Sequence, residues 1–204
     1  MFLFLGFFAI GICGAVLYKS LFTSPMVSSS VKTFSLAKAP SDSLSSSVIS
    51  LSGDVTWESR IATAAVKLKN TQMLQQGESV STEKNGTASL AFFQRVLLRL
   101  SPNTTISYIQ TLPIDIVIEQ NTGKALYTTT GLSPLSVRVL NLLVYDTKPS
   151  TYAITFSSPM VTVQLTSGYL TLAYTNADNT SAVIPVKTGQ EILFDDTTGE
   201  IVFE

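Results

Sequence analysis

From about residue 51 to its end, this chain alternates apolar and polar side chains in short runs, and no segment after residue 60 carries a capped helical stripe. That period of two is the constraint that matters most, because successive strand side chains point to opposite faces and one face must be buried. The pattern is plainest at Val161-Thr-Val163-Gln-Leu165-Thr166 and resumes at Leu170-Thr-Leu172-Ala-Tyr174, with Ser167-Gly168 between. Two such runs around a glycine predict a hairpin. A second hairpin is predicted at Glu191–Phe194 and Glu200–Phe203, around Asp195-Asp196-Thr197-Thr198-Gly199.

Further strands are predicted at Ala88–Phe93, Val96–Leu100, Thr105–Ile109, Ile114–Glu119, Leu135–Tyr145 and Tyr152–Phe156. In Arg95–Ser101, parity sets Arg95, Leu97 and Arg99 on one face and Val96, Leu98 and Leu100 on the other. The arginines therefore take the wet side. Val, Ile, Thr, Tyr and Phe fill the runs, while Gly, Pro, Asn and Asp separate them. The expected fold is all-β.

The other end of the chain is different. Residues 1–18 read MFLFLGFFAIGICGAVLY, and the first ionisable side chain is Lys19. Crossing a bilayer takes roughly 20 apolar residues, with about 17 as a lower limit. No basic segment precedes the run and no small-x-small cleavage site closely follows it, so an uncleaved membrane anchor over 1–22 is expected. Residues 23–50 are rich in serine, including Ser28-Ser29-Ser30 and Ser45-Ser46-Ser47, and predict a flexible tether. Residues 51–204 then form a single domain by length. Lys19, Lys32 and Lys38 all follow the apolar run, so the positive-inside rule taken alone favours a cytoplasmic domain.

The order of residues in the body is itself informative. It opens L51-S-G53-D-V55-T-W57 and continues through V66-K-L68. Then come M73-L74-Q-Q-G77-E-S-V80-S-T82, A88-S-L90-A-F92 and V96-L-L98-R-L100-S101-P-N-T-T-I106. Later, Val161–Tyr174 forms a strand–Gly–strand unit, and Val186-Lys-Thr-Gly189-Gln190-Glu-Ile-Leu-Phe194 closes on a Gly-Gln element. In this order and spacing, roughly residues 50–203 resemble the extracytoplasmic domain of FecR-type proteins. The resemblance implies a solenoid-like stack of short antiparallel strands and hairpins behind one N-terminal membrane helix, with the β-domain in the periplasm or on the cell surface. Two departures stand out. Where the family carries Gly-Thr-x-Phe, this chain has Val144-Tyr145-Asp146-Thr147. The family's cytoplasmic sigma-factor-binding region has no counterpart before the apolar run, so the resemblance implies the folded module rather than the whole signalling device.

Chemistry is narrowly bounded. The chain has no histidine, which removes Ser-His-Asp and Cys-His catalysis and His-ligated zinc, and its one cysteine, Cys13, lies in the apolar run. Asp195-Asp196 opens a turn, where aspartate is common because it bonds its own backbone. Neither Asn176-Ala-Asp178-Asn179 nor Asp195–Glu200 matches a calcium-loop pattern. No enzyme activity, metal or cofactor is expected, and no small-molecule ligand is specified. A net charge of −1 with scattered basic residues argues against nucleic acid. The expected partners are the membrane, through residues 1–22, and a protein met at sheet edges or turns. Trp57 and the departing turn Tyr145, Asp146 and Thr147 are the candidate partner-binding residues. The expected role is an anchored binding or sensory module, with a self-assembling envelope or surface subunit as the alternative.

Overall fold

The computed structural model describes residues 38–203 apart from 63, 177 and 179. The expected anchor, and the tether up to residue 37, lie outside the described residues. Among the described residues the fold is all-β, with no helix long and apolar enough to cross a membrane.

The strands form two layers. One contains β1 (Ser46–Ser52), β4 (Met73–Leu74), β6 (Thr87–Phe92), β7 (Val96–Leu100), β12 (Ser150–Ser157), β13 (Met160–Ser167), β16 (Glu191–Asp195) and β17 (Glu200–Phe203). The other contains β2 (Val55–Glu58), β3 (Val66–Lys67), β5 (Ser79–Thr82), β8 (Thr105–Leu112), β10 (Leu135–Val139), β11 (Leu142–Asp146), β14 (Tyr169–Thr175) and β15 (Ser181–Lys187). β9 (Asp115–Thr129) belongs to both: its first half pairs with β8 and β10, its second half with β7 and β12. The layers pack face to face. Phe92 of the first meets Tyr108 of the second edge-on at 5.4 Å, and Phe194 meets Tyr174 at 5.7 Å.

Parity explains the packing. Val161, Val163 and Leu165 point inward along β13, as do Leu90 and Phe92 along β6 and Leu142 and Val144 along β11. Along β7, Val96, Leu98 and Leu100 are buried and Arg99 is exposed, as alternation requires. Removing this apolar surface from water is the main stabilising term, at about 25 cal/mol per Å².

Several local expectations change. The predicted Val161–Tyr174 hairpin does not form: β13 pairs with β12 and β16, while β14 pairs with β11 and β15 in the other layer. Ser167-Gly168 is a crossing between layers, not a hairpin turn. Gly168 sits at φ +99°, and a Cβ there would collide with Pro149 O and Ser150 Oγ, so the chain can cross only without one. The predicted strand Leu135–Tyr145 is instead a hairpin, β10–β11, turning at Leu140 with φ +52°. No glycine or proline marks that turn. The strand expected at Ile114–Glu119 runs on to Thr129. Pairing is antiparallel throughout except between β9 and β10, which run parallel from Leu135 opposite Ile116. The folded body also starts before residue 51, because β1 begins at Ser46 and pairs with β6. Serine content suggested a tether there, but Ser46 is buried and accepts a hydrogen bond from Tyr108 Oη at 3.2 Å.

Candidate partner-binding surfaces

The four candidate residues are not brought together. Trp57 shares the inward face of β2 with Val55, lies opposite Val66 and Val80, and is partly buried against the core. Its indole N–H is buried without an acceptor among the described residues. β5, β8, β9 and β10 separate β2 from β11, so Trp57 and Tyr145 lie about five strand spacings, roughly 24 Å, apart. Within the turn region, alternation divides the rest. Tyr145 is half-buried on the outer face, Asp146 points inward and is buried, and Thr147 is exposed in the connection to β12.

Asp146 belongs to a polar seam inside the body. Its carboxylate accepts hydrogen bonds from Thr129 Oγ1 at 3.1 Å and Tyr152 Oη at 3.0 Å. The Tyr152 ring stacks on Tyr127 at 5.3 Å with 17° between planes. Tyr127 Oη donates to Gln120 Oε1 at 2.9 Å, and Gln120 Nε2 donates to the carbonyls of Gly123 and Ile154 at 2.8 and 3.1 Å. Burial pushes the Asp146 carboxyl up to about 6, against the opposing effect of its two hydrogen bonds. Burial also pushes the Tyr127 and Tyr152 hydroxyls above their ordinary range, so both remain donors. Each member has its partner, and a single satisfied carboxylate has the chemistry of a structural hydrogen-bond acceptor.

The other acidic candidates have structural bonds as well. Asp195 Oδ1 accepts from the Thr197 amide at 2.8 Å, and Asp196 Oδ1 accepts from the Asn141 amide at 3.1 Å, tying two turns. Asp178 accepts from the Thr180 amide and hydroxyl at 3.0 and 2.6 Å, which hold its carboxyl below the usual range. Among the described residues, no three carboxylate, histidine or cysteine side chains gather as a metal site.

The surfaces suited to a partner are the open strand edges. At the C-terminal end of the two layers, β15 and β17 each have one hydrogen-bonded neighbour among the described strands, β14 and β16. Val183 is 67% exposed, Val202 55% and Phe203 49%, while Ile184 and Ile201 close the core only partly. An open edge is ordinarily blunted by charge, proline or a bulge. β15 carries Pro185; β17 has one charge, Glu200 at its start, and none of these along Ile201-Val202-Phe203. Neither Val183 nor Val202 and Phe203 stood among the candidates from sequence. The visible signal was the unbroken Ile201-Val202-Phe203 run, which breaks the alternation that a covered strand requires.

No protein-family profile matches the chain, and no curated protein matches it. Two crystal structures of a candidate anti-sigma factor from Parabacteroides distasonis ATCC 8503, at 1.65 and 2.50 Å resolution, do resemble it. Each superposes with a TM-score of 0.53 at 14% identity, over 62% of this chain and 58% of that one. The likeness is one of fold. The chain thus matches little more than half the length of that protein, and the matched architecture is the all-β one described above.

Proposed function

We propose that this chain is a non-enzymatic, membrane-anchored module of the FecR type, with its β-domain outside the cytoplasm, that engages a protein partner in signal transduction. The carrying observation is the uncapped edge of β17, with Val202 and Phe203 exposed beside it. An added strand would satisfy the free backbone groups of that edge, and pockets for alternate side chains would select it. β15 is the poorer acceptor, because Pro185 has no N–H to donate. The FecR-like order of residues, the fold shared with a candidate anti-sigma factor and the alternation of hairpins between two layers, as in a stack growing along one axis, all support this reading.

A photo-crosslinking side chain placed at Val202 in intact cells tests it, with Arg138 on an outer face as the control position. The expected product is an adduct of this chain with a different protein at Val202 and not at Arg138. Absence of any Val202 adduct would overturn strand addition at this edge. An adduct of two copies would favour the self-assembling envelope subunit, which the open ends of the layers also suit. Protease treatment of intact and permeabilised cells tests orientation: digestion of the body without breaching the inner membrane is the expected result.

A further inference from the structure

We infer that one rim of the body, the one carrying Phe93, Ile114 and Leu132, rests on the surface of a lipid bilayer. This inference rests on the anchored reading above and adds to it a face and an orientation.

The strands run across the body between two rims, and every turn or crossing lies on one or the other. Register places three turns on the same rim. The β6–β7 turn lies there because Phe92 pairs with Val96, which in turn pairs with Thr129 at the end of β9. The β8–β9 turn and the β9–β10 crossing join it, since Ile116 donates its amide to Pro134 O at 3.0 Å. Each turn raises one large apolar side chain into solvent: Phe93 is 80% exposed, Ile114 77% and Leu132 62%. These turns are also well bonded to one another. Thr130 Oγ1 donates to Gln94 O at 2.8 Å, Arg95 donates to Leu132 O at 3.2 Å and to Ser133 Oγ, and Ser133 Oγ donates to Pro113 O at 2.6 Å. The three side chains are therefore held out on a preorganised platform.

The opposite rim is built from the same kinds of turn and has the contrary character. It carries Asp54, Glu83, Asp178, Asp195 and Asp196 against Lys67, Lys84 and Lys124, and Leu140 is the one large exposed apolar side chain among its described turns. Acids outnumber lysines on that rim, so an anionic lipid surface would repel it more than the first, where Arg95 stands beside Phe93 and Leu132 and offsets Asp115 beside Ile114.

The path of the chain identifies the occupant. The incoming segment is fastened to the apolar rim, where Leu44 donates its amide to Thr111 O at 2.6 Å and Ser43 Oγ bonds Gln76 Oε1 at 3.2 Å. Leu44 and Phe93 line one shallow cleft. Residues 19–37 are all that separate the apolar run from the described chain, and a coil of that length spans roughly 25 Å. A bilayer holding residues 1–18 is thus closest to the rim that exposes Phe, Ile and Leu. The far rim lies a further strand length, about 20 Å, away. Apolar side chains on a surface-bound element sink about 5–10 Å into the headgroup boundary.

The test uses the full chain with Cys13→Ser, reconstituted into phosphatidylethanolamine/phosphatidylglycerol vesicles. Single cysteines carrying an environment-sensitive dye are placed at Phe93, Ile114 and Leu132, and at Lys84 and Thr198 on the opposite rim. The expected result is a blue-shifted emission, quenched by nitroxide lipids, at the first three positions and at neither of the others. Full alkaline extraction of the chain from the vesicles would overturn the anchored reading and this proposal with it. Firm retention with all five dyes equally water-exposed would overturn the rim alone. A shift that persists in detergent and grows with protein concentration would mean that a second copy covers the rim, and would also overturn the proposal.

Discussion

The body before and after β9 uses one device twice, in mirror placement. Before it, crossings between layers lie on the acidic rim, apart from the one between β4 and β5 over residues 75–78; after it, they lie on the other. In the first half, Thr104 Oγ1 donates to Lys124 O and accepts from the Lys124 amide, both at 3.0 Å, beneath Gly123 at φ +82°. In the second half, Ser150 Oγ donates to Tyr169 O at 3.1 Å and accepts from the Tyr169 amide at 3.2 Å, beneath Gly168. The threonines before them match as well. Thr82 Oγ1 donates to Ser101 O and accepts from the Thr104 amide, while Thr129 Oγ1 shares its one proton between Asp146 Oδ1 and Lys148 O and accepts from the Ser150 amide. The Thr104 and Ser150 hydroxyls thus each satisfy both backbone groups of the residue that starts the next pass, Lys124 and Tyr169. The switch of rims follows from β9, whose first half is the hairpin partner of β8 but whose second half, after Gly123, crosses again beyond Thr129 without a hairpin partner. That odd pass is why β10 lies parallel to it.

The halves differ at one telling position. Leu100, four residues before Thr104, is buried and apolar, whereas Asp146, four residues before Ser150, is a buried carboxylate. The second half has therefore exchanged a packing contact for a titratable bond to Tyr152 and Thr129.

The largest effect expected to test the equivalence is at the two crossing glycines. Gly123→Val and Gly168→Val each force a side chain into a left-handed backbone position and into the hydroxyl beneath it. Each should cost about 3–5 kcal/mol or prevent folding, by urea unfolding of the purified chain. Tolerance at one glycine only would break the comparison.

Next comes the position at which the halves differ. The folded-state value of Asp146, about 6, exceeds the ordinary 3.8, so the folded state holds this proton more tightly. Its contribution is full below pH 3.8 and is lost as pH rises through about 6, a fall of about 3 kcal/mol. Unfolding measured from pH 4 to 7.5 should show that fall. Asp146→Asn should flatten it while keeping an acceptor for Tyr152. A slope unchanged in the variant would assign it to another group.

Smaller losses are expected on deleting the hydroxyls. Thr104→Val and Ser150→Ala each leave a backbone amide and carbonyl without their partner, at about 1–3 kcal/mol. Losses of similar size would sharpen the equivalence, and a several-fold disparity would show that one half relies on packing instead. The smallest effect concerns the outer face, where Arg138 and Glu119 pair at 2.7 Å across β10 and β9 with Arg138 half exposed. Arg138→Ala should change stability by less than about 1 kcal/mol.

Much of this fold was legible because period-two alternation is a local property. It located most of the strands, assigned faces to Val96 through Leu100, and found the last hairpin, where Asp195 pairs with Glu200. Turn geometry was less legible. Ser167-Gly168 and Asp195–Gly199 look alike as glycine-bearing turns, yet one crosses layers and the other closes a hairpin. The difference lies in Ser150, distant in sequence, which takes both backbone bonds of Tyr169. The candidate residues fared likewise. Alternation separates Tyr145 from Asp146, but only the arrival of Tyr152 and Thr129 explains a carboxylate on the inner face.

By itself, then, the sequence determined an all-β body, the inward and outward faces of most of its strands, and an apolar run ahead of them, since each depends on neighbouring residues alone. The tertiary structure decided which glycines cross between layers, why Ser46 is a buried strand residue rather than tether, and that Phe93, Ile114 and Leu132 share one rim. Those outcomes depend on which distant backbone groups and side chains supply the missing hydrogen bonds and contacts, and no local pattern encodes the partner.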